Sequence, residues 1–355
     1  MDNLTTTSTA PVGSEGNPNI ALLAFSSVTI RGLASRKGKH VPVTLLRAAS
    51  FPARRFTLYD PDCDELEGWD SLVLPEGKPH LELKLGKRLA VGRIGFIYAA
   101  RILRILDKPG GIPILNHPID ISTKLVIKLV RPTNCRSLAR EAWFYERLPE
   151  EEGYQGAVVP RCYGFYTTST SSILSRRRRV QIGPWIDESG SHVPLDFSEL
   201  KESEDFLPDD SAVGRAFRDD GRTCWADSPW STWQPDPENP LLGVLILERL
   251  GATYSRKTYD ENPQSRMDIA DLVDDLSSVT IQHDDFKFNN IVRTPSGVVC
   301  PRHGYAHEWR VIDFDRSVRW AKTANTDESV MSGNRSFYDR KYFPTLFWGY
   351  PEEYC

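Results

Sequence analysis

Hydrophobic and polar positions change rhythm several times along the chain, and each rhythm predicts an element. Leu81, Leu83 and Leu85 alternate with polar residues, the period of a half-buried strand. The turn Ala90-Val91-Gly92-Arg93-Ile94-Gly95-Phe96-Ile97 leads into a second apolar strand over 97–100. Residues 123–130 read as a third strand, with Lys128 inside it. Arg131-Pro132-Thr133-Asn134 breaks that strand and caps a helix whose Leu138, Ala142 and Tyr145 fall at i, i+4 and i+7. Residues 158–165 and 241–248 are strand-like, and 267–279 predicts a helix with Ile269, Leu272, Val273 and Leu276 on one face. Two short strands, 290–293 and 309–312, follow with a loop over 294–308 between them.

Elsewhere the pattern is weaker. Residues 1–18 have the Ser, Thr, Gly, Pro and Asn content of a disordered tail. Residues 19–80 form an extension with short β-like runs at 25–30 and 41–46, and no function follows from them. Residues 166–240 read as a flexible insertion with Thr/Ser repeats, four arginines from Arg176 to Arg179, an acidic stretch over 199–210 and Pro-rich sequence. Trp185, Trp225, Trp230 and Trp233 in it predict that parts of the insertion dock on something.

Composition narrows the field. Lys and Arg number 44 and Asp and Glu 48, a formal charge of −4, which is not the balance of a general nucleic-acid binder. The 6 cysteines lack close pairs and point to a reducing compartment. The first residues show neither a basic region nor an apolar core of a secretory signal. The longest apolar run, 241–247, is far short of the roughly 20 residues of a membrane helix. The expectation is an intracellular protein, cytoplasmic or nuclear, with no membrane partner.

The densest chemistry is His283-Asp284-Asp285-Phe286-Lys287-Phe288-Asn289-Asn290, followed by Val311-Ile312-Asp313-Phe314-Asp315. Phosphoryl transfer asks a protein to place a nucleophile, neutralise phosphate charge and hold Mg²⁺. Asp285 can accept a hydroxyl proton, and Asn290 and Asp313 can offer the oxygens that Mg²⁺ prefers. Lys128 in an apolar strand is costly unless paired, and Glu141 shares the apolar face of the following helix. Glu146, five positions on, is rotated by roughly 140°. Without such a partner, Lys128 reads as an edge-strand lysine reaching for solvent. Gly92 and Gly95 allow backbone N–H groups close to a phosphate, although a plain β-turn uses glycines equally well.

In this order the motifs resemble those of the protein kinase fold family. Gly92 and Gly95 resemble its glycine-rich loop with alanine at the first glycine, Lys128 its strand lysine and Glu141 the helix partner. Leu247-Glu248-Arg249-Leu250 resembles the hinge, so Glu248 and Leu250 are implied to meet adenine. Asp285, Lys287 and Asn290 resemble the catalytic loop, with Lys287 typical of Ser/Thr protein kinases, and Asn290 and Asp313 the magnesium ligands. The resemblance spans about residues 81–320 without the insertions. It implies an α+β, two-lobed protein kinase-like fold: an antiparallel β-sheet N-lobe with helix C over 81–250, and a shortened, mainly helical C-lobe over 251–355. It also implies ATP and Mg²⁺ as cofactors and transfer of the γ-phosphate to a hydroxyl of a protein substrate. A nucleotide-binding pseudokinase is one alternative. A small-molecule kinase of the aminoglycoside or choline type is another, supported by the short stretch from Glu248 to His283.

Three departures stand out. Asp284 replaces the arginine that pairs with an activation-loop phosphate, and would repel phosphate. Asp315 replaces the glycine of the magnesium motif; Asp tolerates unusual backbone angles. Tyr350-Pro351-Glu352 resembles the end of the activation loop, where most of the helical lobe should begin. Separately, Cys300, His303 and His307 have the ligand-like spacing Cys-x2-His-x3-His, but give three ligands where structural zinc takes four. The expectation there is a plain surface loop.

Overall fold

The computed structural model describes residues 21–56, 68–74, 76–117, 124–148, 152–170, 181–185, 207–208, 227–236, 238–283, 285–295 and 297–321. β1 (Ser27–Arg36) and β2 (Lys39–Arg47) form a hairpin. Its turn, Lys37-Gly38, has φ of 49° and 73°, the left-handed geometry that matches strand twist in a two-residue hairpin. After the short β3 (Arg55–Phe56) come two long strands, β4 (His80–Val91) and β5 (Gly95–Leu106), then β6 (Leu125–Val130). Helix α1 (Cys135–Glu146) precedes β7 (Cys162–Ser169), β8 (Gln181–Ile182) and β9 (Leu241–Glu248).

These strands close on themselves. β1 pairs antiparallel with β2 on one side and parallel with β4 on the other. The ring runs β1-β2-β7-β9-β6-β5-β4 and back to β1, a barrel of seven strands, with β8 extending the sheet beside β1. Closure leaves none of the seven with an unpaired edge over its whole length, which removes the usual invitation to aggregate. The parallel seam carries a polar clasp: His80 Nδ1 lies 2.7 Å from Ser27 Oγ, and its Nε2 2.9 Å from Thr29 Oγ1.

The period of two decides what each face meets. On β6, Leu125, Ile127 and Leu129 fill the barrel, together with Leu242, Val244 and Ile246 of β9. The alternate residues face outward into a second core built around α1, where Leu245 and Leu247 meet Leu138, Ala142 and Phe144. β9 is therefore buried on both sides, which is why it reads as a continuous apolar run. Gly243 keeps that contact close, since a Cβ there would lie 3.2 Å from Cys135 Sγ and the sulfur would have to give way.

The remaining elements sit on the second core. Helix α2 (Arg256–Glu261) starts on the Ser255 side chain, which accepts from Thr258 N. Helix α3 (Pro263–Ser278) starts on Asn262, with proline at its first turn. β10 (Ile281–Gln282), β11 (Ile291–Arg293), β12 (Trp309–Val311) and β13 (Val318–Trp320) are all short. β10, β13 and β3 form one small sheet, and β11 with β12 a two-stranded one.

The expected α+β, two-lobed architecture is corrected by this arrangement. The sheet is a closed barrel, not an antiparallel sheet lobe bounded by residue 81, because β1 and β2 supply strands from the extension over 19–80. Nor is there a mainly helical second lobe: among the described residues only α1 and α3 exceed two turns. The physical reason lies in residues 27–47. They pair with each other as a hairpin, but their outer edges are satisfied by β4 and β7, far along the chain, and no local run announces that pairing.

Three of the four insertion tryptophans dock on the chain's own body. Trp185 Nε1 donates to Val130 O at 3.3 Å, Trp230 Nε1 donates to Ala49 O at 2.8 Å, and Trp233 packs on Trp230. Trp225, Asp284, residues 1–18, the Arg176–Arg179 run, most of 199–210 and Tyr350-Pro351-Glu352 lie outside the described residues. Among those described, no helix is long and apolar enough to cross a membrane.

Candidate functional site

Three segments meet beside α1. The first is Lys128, on the outward face of β6 and only 8% exposed. Its Nζ lies 2.5 Å from Glu141 Oε2 on α1 and also contacts Asp313 Oδ1. Glu146, the rival partner in sequence, points elsewhere and accepts from Ser50 Oγ at 2.7 Å and Leu72 N at 3.0 Å.

The second segment is Asp313-Phe314-Asp315, which follows β12. Asp313 is left-handed, with φ 73° and ψ 63°, a conformation that Asp tolerates better than most residues. The unusual backbone thus falls on Asp313 and not on Asp315, the position that replaces glycine. Phe314 is fully buried and packs on Phe144, Tyr145 and His283. His283 Nε2 in turn donates to Ile312 O at 2.9 Å, tying the two motifs together. Asp315 is buried and ion-paired with Arg93, in the turn between β4 and β5.

The third segment is the loop after β10. Asn290 Nδ2 donates to both Asp285 O (2.8 Å) and Asp285 Oδ2 (3.0 Å), and Lys287 Nζ lies 3.0 Å from Asp285 Oδ1. Asn290 sits at the end of a 3-10 turn that passes directly into β11, so the β11–β12 pair joins this loop to Asp313.

One ammonium serving two carboxylates shapes the electrostatics. Burial works to lower the Lys128 pKa, but Asp313 and Glu141 outweigh it and keep the lysine charged. Burial also works against the Asp313 carboxylate, and Lys128 reverses this, holding the group below its ordinary range with His283 and Lys287 assisting. Glu141 is left with the smaller share: burial pushes it up to about 8 against the pull of Lys128. Asp315 is raised by burial and by the charge of Asp313.

The glycines and the β9 terminus have visible packing duties. Gly92 N donates to Gly95 O at 2.8 Å, closing the turn. A Cβ on Gly95 would lie 2.2 Å from Leu129 O, so β5 meets β6 too closely for any side chain there. Glu248 is buried and ion-paired with Arg310 of β12 at 2.6 Å, and it also accepts from Arg161 N at 3.2 Å. Leu250 is partly buried just beyond β9. Arg93 and Arg310 are the partners that sequence reasoning missed. Arg93 stands inside the glycine turn that was singled out, and Arg310 lies two residues after an ordinary-looking Glu308; neither has a pattern that announces a buried carboxylate partner.

A kinase domain is among the solved structures this chain resembles. The structure, described as the crystal structure of the BubR1 kinase domain, is 13% identical with a TM-score of 0.31, over 67% of this chain and 47% of that one. The chain thus spans about half the length of that domain. No family model and no curated protein matches the sequence. At this level of likeness the functional question rests on the site's own geometry.

That geometry brings Lys128, Glu141 and Asp313 into direct contact, and Asp285, Lys287 and Asn290 into a second cluster one short hairpin away. Gly92, Gly95 and Arg93 lie in the turn that the Arg93–Asp315 pair holds against the first cluster. Together they bring two lysines and an arginine, the carboxylates of Glu141, Asp285, Asp313 and Asp315, and the Asn290 amide to one side of the chain.

Proposed function

We propose that this chain is an ATP-dependent phosphotransferase that delivers the γ-phosphate to a hydroxyl, with a protein serine or threonine as the acceptor class. The observation that carries the reading is the contact of Lys128 with both Glu141 and Asp313. A buried lysine held charged by two carboxylates is a common feature of functional sites, and one of these carboxylates, Asp313, is suited to a metal.

Asp285 would accept the proton of the attacking hydroxyl. Its carboxylate is oriented by Asn290 on one oxygen and Lys287 on the other. Lys287 would neutralise charge on the transferring phosphoryl group, and Lys128 the α- and β-phosphates. The donor set fits Mg²⁺: Asp313 offers a carboxylate, and Asn290, whose Nδ2 is engaged by Asp285, offers Oδ1. When bound there, the metal would supply charge neutralisation to the polyphosphate. Gly92 N is committed to Gly95 O, so the turn's contribution would be shape, with Gly95 permitting its close approach to β6.

Asp285→Ala is expected to abolish transfer, on the order of 10²-fold or more in rate, while leaving ATP·Mg²⁺ affinity nearly unchanged. Normal turnover by that variant would sink the reading. A non-catalytic nucleotide-binding role is the second reading, favoured by the structural employment of Gly95 and Glu248. A thermal-shift titration with ATP and Mg²⁺, run beside a transfer assay on generic protein substrates, separates them: stabilisation without transfer supports the second.

A further inference from the structure

The loop between β11 and β12 carries Cys300, His303 and His307, and it is not a plain surface loop. Cys300 is 1% and His307 2% exposed, and helix α3 brings Asp275, fully buried, to the same point. The missing fourth donor of the Cys-x2-His-x3-His pattern therefore comes from a different element. One ligand atom from each of the four lies within 4.8 Å of all the others.

The distances have the form of a coordination shell. Asp275 Oδ2 lies 3.3 Å from Cys300 Sγ, 3.4 Å from His303 Nδ1 and 3.1 Å from His307 Nε2, and Cys300 Sγ lies 3.6 Å from His303 Nδ1. Around tetrahedral zinc, with Zn–S about 2.3 Å and Zn–N or Zn–O about 2.0–2.1 Å, neighbouring ligand atoms stand roughly 3.3–3.6 Å apart.

The outer contacts set the ligands in the right form. His307 Nδ1 lies 2.6 Å from Asp268 Oδ1, so it donates there and turns the lone pair of Nε2 toward Asp275. Asp268 is itself fixed by Glu308 N and Trp309 N, which donate to Oδ2 at 2.8 and 3.1 Å. Arg302 Nε takes the other oxygen of Asp275 at 2.9 Å, leaving Oδ2 for the cluster. With His307 neutral, Nε2 and Oδ2 are two acceptors facing each other, and a cation between them satisfies both. A doubly protonated His307 would serve that one contact. A metal ion would in addition take Cys300 Sγ and His303 Nδ1, which converge on the same oxygen. A carboxylate–histidine pair behind a ligating imidazole is the usual outer shell of zinc.

We propose that Asp275, Cys300, His303 and His307 form a structural zinc site that staples the β11–β12 loop to α3. A thiolate and two imidazoles favour zinc over the hard cations. One thiolate and one carboxylate balance the +2 charge, and four protein ligands leave no open position for catalysis. β11 begins directly after Asn290 and β12 ends two residues before Asp313, so the staple braces the hairpin that carries both. The proposal does not depend on phosphoryl transfer: a chain that holds zinc and transfers nothing keeps it.

The test is made on the full chain, expressed with zinc and purified without chelator. Elemental analysis is expected to find about one zinc per chain. Cobalt exchanged for zinc is expected to give visible bands of tetrahedral geometry and a near-ultraviolet thiolate-to-cobalt band, the latter lost in Cys300→Ser. Asp268→Asn, which leaves all four ligands in place, is expected to weaken zinc about 10–100-fold against a chromophoric chelator. Substoichiometric zinc in the wild-type chain, or a cobalt spectrum without the thiolate band, overturns the proposal. Both readouts use the unaltered protein, so they hold even if a variant fails to fold.

Discussion

Arg93 and Asp315, 222 residues apart in the chain, form an ion pair that ties the β4–β5 turn to the segment carrying Asp313. The pair is asymmetric: the arginine side chain is 46% exposed and the aspartate 3%. Removing Arg93 takes the ion-pair partner from a buried carboxylate and leaves it the field of Lys128 and Arg316, whereas removing the charge on Asp315 leaves an arginine that can turn to water. Arg93→Ala is expected to destabilise the chain by about 1–3 kcal/mol in urea unfolding. Arg93→Ala with Asp315→Asn should recover much of that loss. Additive losses in the double variant would show that the pair is not what holds the turn.

Glu141 predicts a pH dependence. Its pKa lies at about 8 in the folded chain, above its ordinary 4.5. The folded state therefore binds a proton more tightly than the unfolded one. The stability tied to that proton is complete below pH 4.5 and is lost as pH rises through about 8. Glu141→Gln mimics the protonated form, so its melting temperature should fall less than that of wild type across this window. Parallel curves for the two proteins would refute the assignment.

Glu248 and Arg310 are both buried, and they join the end of β9 to β12. Glu248→Gln is expected to cost on the order of 3 kcal/mol, because it takes the charge away from a guanidinium excluded from water. Arg293→Ala, which breaks the exposed Arg293–Glu308 pair, should cost under about 1 kcal/mol. Equal losses in chemical denaturation would contradict the difference in burial.

Gly95→Ala tests the approach of β5 to β6. The added Cβ would meet Leu129 O at 2.2 Å, and backbone cannot swing aside as a long side chain can. A loss of about 1–3 kcal/mol is expected. Gly92→Ala, whose Cβ would find only Gly95 O at 3.8 Å, is the control and should fold normally.

Much of this protein is written locally. Alternation at Leu81, Leu83 and Leu85 and the apolar run of Leu241–Glu248 each specify an element through contacts a few residues long, whereas α3 starts at the Asn262-Pro263 cap, ahead of the helix expected over 267–279. The order Lys128, Glu141, Asp285, Asn290, Asp313 was legible for the same reason: each residue sits in a short motif on a recognisable element. Tertiary structure decided what no local pattern encodes. The parallel pairing of Ser27 with His80 closes the barrel, and parallel strands need a crossover that leaves no turn signature. Arg93 meets Asp315, Glu248 meets Arg310, and Asp275 completes the cluster of Cys300, His303 and His307. In each case folding has taken a carboxylate out of water, where an unpaired charge is costly, and its partner comes from a distant part of the chain.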